Sequence, residues 1–271
     1  MAILGRISDK EYNELKEVRN SDLSEIDESY AHYKDRKNKK KTDSMIFGSA
    51  FHCYLLDGKD EFFKQYKVFP QGFDKKSDAR KREWNDCIEA GLIPLKYDDL
   101  LAIMKMKDNV MAHPVAKNIF KTSENEGAYT GVIEDVDVKC KVDVRSRGYT
   151  FDVKTCASAS KSGFKKSIDN FDLHRQGAFY DEILRQNGII SEGFGHIAVE
   201  NEEPHMVAVY ILDEKSMITG MSQAVRLLKK LKKYKSDPKL WDGYTEQIES
   251  IGISGWKAKQ EEDMEENHTG A

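Results

Sequence analysis

Two neighbouring stretches of this 271-residue sequence hold residue types that can do chemistry together. In "FDVKTC" (151–156) Asp152 and Lys154 stand two residues apart. In "VKCKVDVRS" (138–146) the apolar residues Val138, Cys140, Val142 and Val144 alternate with Lys139, Lys141, Asp143 and Arg145. A strand turns successive side chains to opposite faces, so each stretch reads as a half-buried strand with its charges on one side. Between them lies "SRGY". A two-residue turn at Arg147-Gly148 sets an antiparallel register in which Asp143 faces Asp152 and Lys141 faces Lys154. Like charges directly opposite each other are destabilising by a few tenths to about 1 kcal/mol. A cation held between the carboxylates reverses that sign, and two carboxylates beside an ammonium make a hard-oxygen site suited to Mg²⁺ or Mn²⁺. Taken alone, the same D-x-K pattern is also what a solvated strand face looks like.

The elements that must position these residues follow from periodicity. Strands are expected near 129–135, 138–145 and 149–155. The segment "FDLHRQGAFYDEILRQNG" (171–188) then reads as a helix, with Phe171 or Asp172 near its start and Gly188 at its end. Two strands follow, "FGHIAVE" and "MVAVYIL", then a long basic amphipathic helix from an Asp213 N-cap to about Lys235. Upstream, "SMIFGSAFHCYLLDG" (44–58) reads as a buried helix with Gly58 as its C-cap. His52 lies within it, and a lone histidine on such a helix is ordinarily a satisfied core residue. The first ~30 residues read as a short helical or irregular arm with Ser21 or Asp22 as a helix N-cap. Residues 60–92 read as a polar, basic connection with a short helix at 80–90, and 97–120 as a helix interrupted at Pro114.

This order predicts an α/β (α+β) fold: a central mixed β-sheet flanked by helices, with an antiparallel hairpin carrying the acids. One domain is expected over residues 1–257, its helical N-terminal part reaching to about 120 and its core beginning at about 121. Trp241, Tyr244 and Trp256 are expected to pack against the body. The acidic tail 258–271 is too polar to fold by itself.

Composition narrows the function. With 39% hydrophobic and 33% charged residues the chain is globular in type. No apolar run reaches the ~20 residues of a membrane span and the start carries no signal-peptide h-region, so a cytoplasmic protein is expected. Cys53, Cys87, Cys140 and Cys156 form no C-x-x-C pair, which argues against a zinc ribbon or iron–sulfur cluster and for reduced thiols. The net charge of −4 does not advertise a nucleic-acid binder, yet basic clusters at 34–41, 75–82, 161–166 and 226–235 make local basic surfaces plausible. Glycine-rich phosphate loops, G-x-G-x-x-G and G-x-S-x-G are absent, which lowers nucleotide-hydrolysing, dinucleotide-binding and acyl-transfer readings.

Read together and in order, "GSAFH", "KVDV", "FDVKT" and "HRQGAFY" resemble the RecB-like branch of the PD-(D/E)xK nucleases, and within it the phage and prophage RecE-type exodeoxyribonucleases. The N-terminal "NSDLSEIDESYAHYK" and the late "LWDGY" and "SGW" also look like this family, so the resemblance spans roughly residues 7–257. It implies an early histidine at His52, an aspartate at Asp143, the D-x-K pair Asp152 and Lys154, and a Q-x-x-x-Y pair at Gln176 and Tyr180. Gln176 and Tyr180 are four apart and share a helix face. By resemblance they line the cleft near the scissile phosphate. The further acid often seen ahead of the hairpin is not uniquely placed, Glu126 being the first candidate and Glu134 the second.

On that reading Asp143, Asp152 and the backbone carbonyl of Val153 hold Mg²⁺, with Mn²⁺ as a substitute and His52 completing or flanking the site. Lys154 orients or deprotonates a water, or stabilises the charge of the transition state. The resemblance implies a substrate of linear double-stranded DNA ends, degraded 5′ to 3′ to leave 3′ tails. It also implies a ring-shaped homo-oligomer (trimer or tetramer), a single-strand annealing protein as partner and no membrane. Alternatives are a structure- or site-specific endonuclease of the same fold, a catalytically inactive DNA-binding recombination accessory protein, and a metal-binding scaffold unrelated to nucleic acid.

Overall fold

The computed structural model describes residues 1–124, 127–237, 239–241 and 243–269. The chain opens with β1 (Ala2–Gly5), α1 (Asp9–Glu14), α2 (Asn20–Glu28), α3 (Tyr30–Asp35) and α4 (Asp43–His52). A π-helical turn over Cys53–Asp57 leads into α5 (Lys59–Gln65), β2 (Tyr66–Val68), α6 (Asp78–Glu89), β3 (Ile93–Leu95), α7 (Tyr97–Ala112) and α8 (Pro114–Lys121). The strands β4 (Ser123–Glu124), β5 (Gly127–Ile133), β6 (Val136–Val142), β7 (Val144–Ser146) and β8 (Tyr149–Cys156) come next. After them run α9 (Lys161–Asn170), α10 (Leu173–Gln186), β9 (Gly193–Glu200), β10 (Val207–Ile211), α11 (Glu214–Ser236) and α12 (Gly255–Thr269).

The principal sheet has the order β10-β9-β8-β7-β4 and is mixed. Its β8–β9 pair is parallel, while β9–β10, β7–β8 and β4–β7 are antiparallel. The parallel pair requires a crossover, and α9 and α10 supply it. A second, antiparallel sheet is ordered β1-β5-β6. This is the helix-flanked mixed sheet that the periodicity predicts.

Alternation along β8 divides its side chains between two faces. Phe151 and Val153 join Ile197 and Val199 under α4, the π turn, α7 and α8. On the other face Cys156 packs with Ala198, Phe164 of α9 and Leu173 of α10. Asp152 and Lys154 point the same way as Cys156. A third cluster joins β5 and β6 to α2, α10 and the apolar stripe Ala224, Leu227, Leu228 and Leu231 of α11.

Several expectations change in the fold. Residues 138–145 are not one strand: β6 ends at Val142 in the second sheet, β7 begins at Val144 in the first, and Asp143 sits at the bend between them. The hairpin register holds, with Val144 opposite Phe151 and Ser146 opposite Tyr149 across Arg147 and Gly148, both at positive φ. Asp143 therefore still faces Asp152. Lys141 does not face Lys154, because the bend sends β6 away; it pairs with Ala128 of β5 and reaches Asp9 at 2.7 Å.

At the start of α2 the N-cap is Arg19 rather than Ser21 or Asp22, and the Asp22 carboxylate accepts the Arg19 N–H from inside the first turn. Trp241, Tyr244 and Trp256 are 54%, 73% and 73% exposed, so they do not pack into the body as expected, although Tyr244 donates to Glu28. The acidic stretch is helical, in α12, as far as Thr269. The basic run on α11 meets acids of the body: Arg226 pairs with Asp27, Lys229 with Glu134 and Lys232 with Asp135.

Candidate active site

His52 reaches the sheet because α4 ends on it. Thr42 caps the helix by accepting the Met45 N–H, and Gly48 lets the helix lie close to Thr155 of β8, where an added Cβ would stand 3.3 Å from the hydroxyl oxygen. The π turn directly after His52 widens the helix at this point, and such turns recur at functional sites. Gly58, at φ +89°, closes it.

The His52 Nε2–H donates to the Val153 carbonyl at 2.6 Å. This leaves Nδ1 3.6 Å from Asp143 Oδ2. The same Asp143 oxygen accepts the Val153 N–H at 2.8 Å. The backbone of one β8 residue, Val153, thus ties the hairpin acid and the helix histidine together.

Asp152, 5% exposed, accepts from Gln176 Nε2 at 2.5 Å on Oδ1 and has Lys154 Nζ 3.0 Å from Oδ2. Gln176 arrives there because α10 is pinned on both sides. Its Arg175, fully buried, donates to Asn20 and Ser24 of α2 and to Asp172 at its own N-terminus. Gly177 allows close packing on β9, since an added Cβ would meet Leu212 at 2.7 Å and Phe194 at 2.9 Å. Tyr180 follows one turn later, half-buried and edge-on to Phe194 with ring centres 5.9 Å apart.

Electrostatics separate the two acids. Burial raises the Asp143 carboxyl above its ordinary range; His52 opposes this and the Asp152 charge adds to it. Asp152 is also pushed up by burial, but Lys154 and then His196 outweigh that and hold it well below the usual range. Burial lowers the Lys154 ammonium, yet Asp152 and Asp143 more than compensate, so its pKa is raised and it stays charged at neutral pH. Burial lifts the Tyr180 phenol far above normal, which keeps its hydroxyl a donor.

The structure therefore brings His52, Asp143, Asp152, Val153, Lys154 and Gln176 together, with Tyr180 on the same face of α10. Glu134 falls elsewhere, in the β5–β6 turn at the far end of β6 from Asp143, because the two positive-φ positions there form a turn and Lys229 takes its carboxylate at 3.5 Å. Glu126 lies outside the described residues. Among the described residues no three His, Cys, Asp or Glu side chains close around one point in ligating geometry. What is present is a corner rich in hard acceptors. Two carboxylates and a carbonyl converge there, Asp152 Oδ2 is buried with the Lys154 ammonium beside it and no further hydrogen bond, and His52 Nδ1 stands 3.6 Å from an Asp143 carboxylate oxygen. That donor set fits a hard divalent cation bound through Asp143, Asp152 and the Val153 carbonyl, with His52 beside it.

Two residues that matter here were not singled out from sequence. Arg175 sits within the "HRQ" run beside Gln176. His196, fully buried on β9 directly beside Asp152, is the polar residue in the middle of the apolar strand "FGHIAVE". A cavity of about 840 Å³ lined by Phe151, Tyr149, Val209 and Ile211 lies on the opposite face of the sheet from Asp152.

A helix-flanked mixed sheet with an acid–acid–lysine hairpin defines the PD-(D/E)xK class. The chain belongs to the family described as a PDDEXK-like domain of unknown function (DUF3799), which matches residues 14–252. Nucleases of this class generally use divalent metals. Among solved structures it is similar to one described as a "Putative exonuclease" from Eubacterium rectale, at 13% identity and a TM-score of 0.66, covering 93% of this chain and 98% of that one. The structure of SSO0001 aligns over 60% of this chain and 73% of its own at 17% identity and a TM-score of 0.30. No curated protein matches. Among the described residues no helix is long and apolar enough to cross a membrane.

Proposed function

We propose that this protein is a metal-dependent exodeoxyribonuclease that hydrolyses phosphodiester bonds of linear double-stranded DNA from its ends. The observation that carries the reading is the Asp143–Val153–His52 tie beside the Asp152–Lys154–Gln176 cluster. The description of the Eubacterium rectale neighbour as an exonuclease agrees with it. Digestion 5′ to 3′ to leave 3′ tails, a ring-shaped homo-oligomer and a single-strand annealing partner belong to the same proposal.

Asp143 and Asp152, with the Val153 carbonyl, would hold Mg²⁺, and His52 would flank it. A divalent ion bound there lowers the pKa of a coordinated water and neutralises phosphate charge. Lys154, kept protonated by its two acids, stabilises the extra negative charge of the transition state by donating to a phosphoryl oxygen or to the attacking water. Its raised pKa argues against a role as general base at neutral pH. Gln176 holds Asp152 in one rotamer, and the Tyr180 hydroxyl, one helical turn away, can donate to the DNA strand.

The test is digestion of linear duplex DNA, labelled at one 5′ end in one set and the other in a second, beside a relaxed circle, with Mg²⁺ or chelator. Metal-dependent loss of the linear DNA with the circle spared supports the proposal, and the order of label release gives its polarity. Cutting of the circle replaces it with the endonuclease reading. Absence of cleavage with Mg²⁺ and Mn²⁺ replaces it with a binding module.

A further inference from the structure

We infer that His196 is a positioning residue that fixes the Asp152 carboxylate for divalent-cation binding from behind. The inference rests on the metal-dependent reading of the site. His196 lies beside Asp152 in the parallel β8–β9 register, and its side chain is fully buried. Nδ1 stands 3.6 Å from Asp152 Oδ2. Both ring nitrogens lack a hydrogen-bond partner, and that carboxylate oxygen has none besides the Lys154 ion pair at 3.0 Å.

Burying an imidazole with no partner is costly, and a strand flanked by apolar residues would be served better by a leucine. The ring is instead held in place by aromatic edges, with Phe164 and Phe194 centred 5.6 and 5.5 Å away. Among the described residues its ionic neighbour is Asp152. A contact at 3.6 Å is too long for a hydrogen bond, and a small rotation of the carboxylate closes it.

Two other groups already constrain Asp152. Gln176 holds Oδ1, and Lys154 approaches Oδ2 from the open side of the site. An Nδ1–H on the buried side completes the set. Held by these three groups, the carboxylate keeps one orientation. Groups that orient metal ligands in this way typically contribute 10–100-fold in metal affinity when intact.

The test compares His196→Leu, His196→Asn and His196→Gln with the wild type. Mn²⁺ affinity is measured by electron paramagnetic resonance without DNA, together with kcat and KM on linear duplex and thermal stability in chelator. Asn can place an N–H where Nδ1 stands, whereas Gln places one where Nε2 stands. H196L is expected to bind Mn²⁺ 10–100-fold more weakly and to lose kcat with KM little changed. H196N should recover most of both, and H196Q should not. If H196L does not fold, the comparison of H196N with H196Q decides: a clear advantage for Asn supports the inference, and equal affinities overturn it. H196L with Mn²⁺ affinity within twofold of the wild type also overturns it. If D152N loses Mn²⁺ binding while H196L keeps it, this inference alone falls. Wild-type protein that binds no Mn²⁺ overturns it together with the metal-dependent reading.

Discussion

The backbone N–H of Val153 donates to the carboxylate of Asp143 at 2.8 Å, across the hairpin that joins them. The carbonyl of the same residue accepts from His52, so the main chain of Val153 is held at both its N–H and its carbonyl. Asp143 can occupy this place because the strand breaks at it. A side chain at a bend between two sheets reaches the neighbouring backbone, whereas one in a continuous ladder would point away from it.

On the proposed mechanism Lys154 supplies charge to the reaction and not to the metal. Lys154→Ala is expected to lower cleavage about 100–1,000-fold, the scale of losing one positioned transition-state donor. Mn²⁺ affinity should hold or rise, because a cation competing for Asp152 has gone. Single-turnover cleavage and metal titration check both halves, and near-normal turnover would remove the assigned role.

Asp143 sets a pH signature. Its folded pKa is raised, so the fold prefers the protonated acid. The stability this contributes is fully present below the unfolded value of about 3.9 and is lost as pH rises through the folded value. Asp143→Asn, whose amide oxygen can still accept the Val153 N–H, should therefore be more stable than the wild type at pH 7 in chelator. The advantage should fade toward pH 4. Asp152 has the opposite sign, its lowered pKa contributing stability above about pH 3.9 that is lost in stronger acid. Urea denaturation at several pH values measures this, and a D143N protein less stable than wild type at pH 7 would contradict it.

Arg175 is a structural clamp. It is fully buried and its three donors reach α2 and the start of α10, so Arg175→Met should cost about 3–5 kcal/mol by leaving buried partners unsatisfied. Gln176 would then lose its aim at Asp152. A loss below about 1 kcal/mol in urea denaturation would show that α2 does not anchor the site helix.

The four cysteines are buried, and burial pushes the Cys53 thiol up to about 12 and the Cys156 thiol to about 11. Because the thiolate is the nucleophile, native protein at pH 8 should react with a disulfide reagent only as fast as it unfolds. Denaturant should release all four thiols. A rapidly labelled native cysteine would contradict the buried placement.

Much of the site was legible because β-alternation and a two-residue turn are local rules, and they alone place Asp143 opposite Asp152. The helix bearing Gln176 and the Asp213 cap of α11 were legible for the same reason. The break at Asp143 was not. It depends on β6 pairing with β5 and β1, which are distant in sequence, and the same pairing carries Lys141 away to Asp9. Local rules alone could not tell His52 from a core histidine, because its place depends on α4 ending against β8; only the family resemblance pointed to it. Arg175 and His196 acquire their roles only from tertiary neighbours, and the charge of α11 looked free because Asp27, Glu134 and Asp135 lie far away along the chain.

The most direct measurement compares wild type with Asp152→Asn on linear duplex DNA in Mg²⁺ and in chelator. The account predicts metal-dependent digestion by the wild type and loss of both digestion and metal affinity in D152N, with the fold retained. Full Mg²⁺-dependent cleavage by D152N would show that the hairpin is not the catalytic centre.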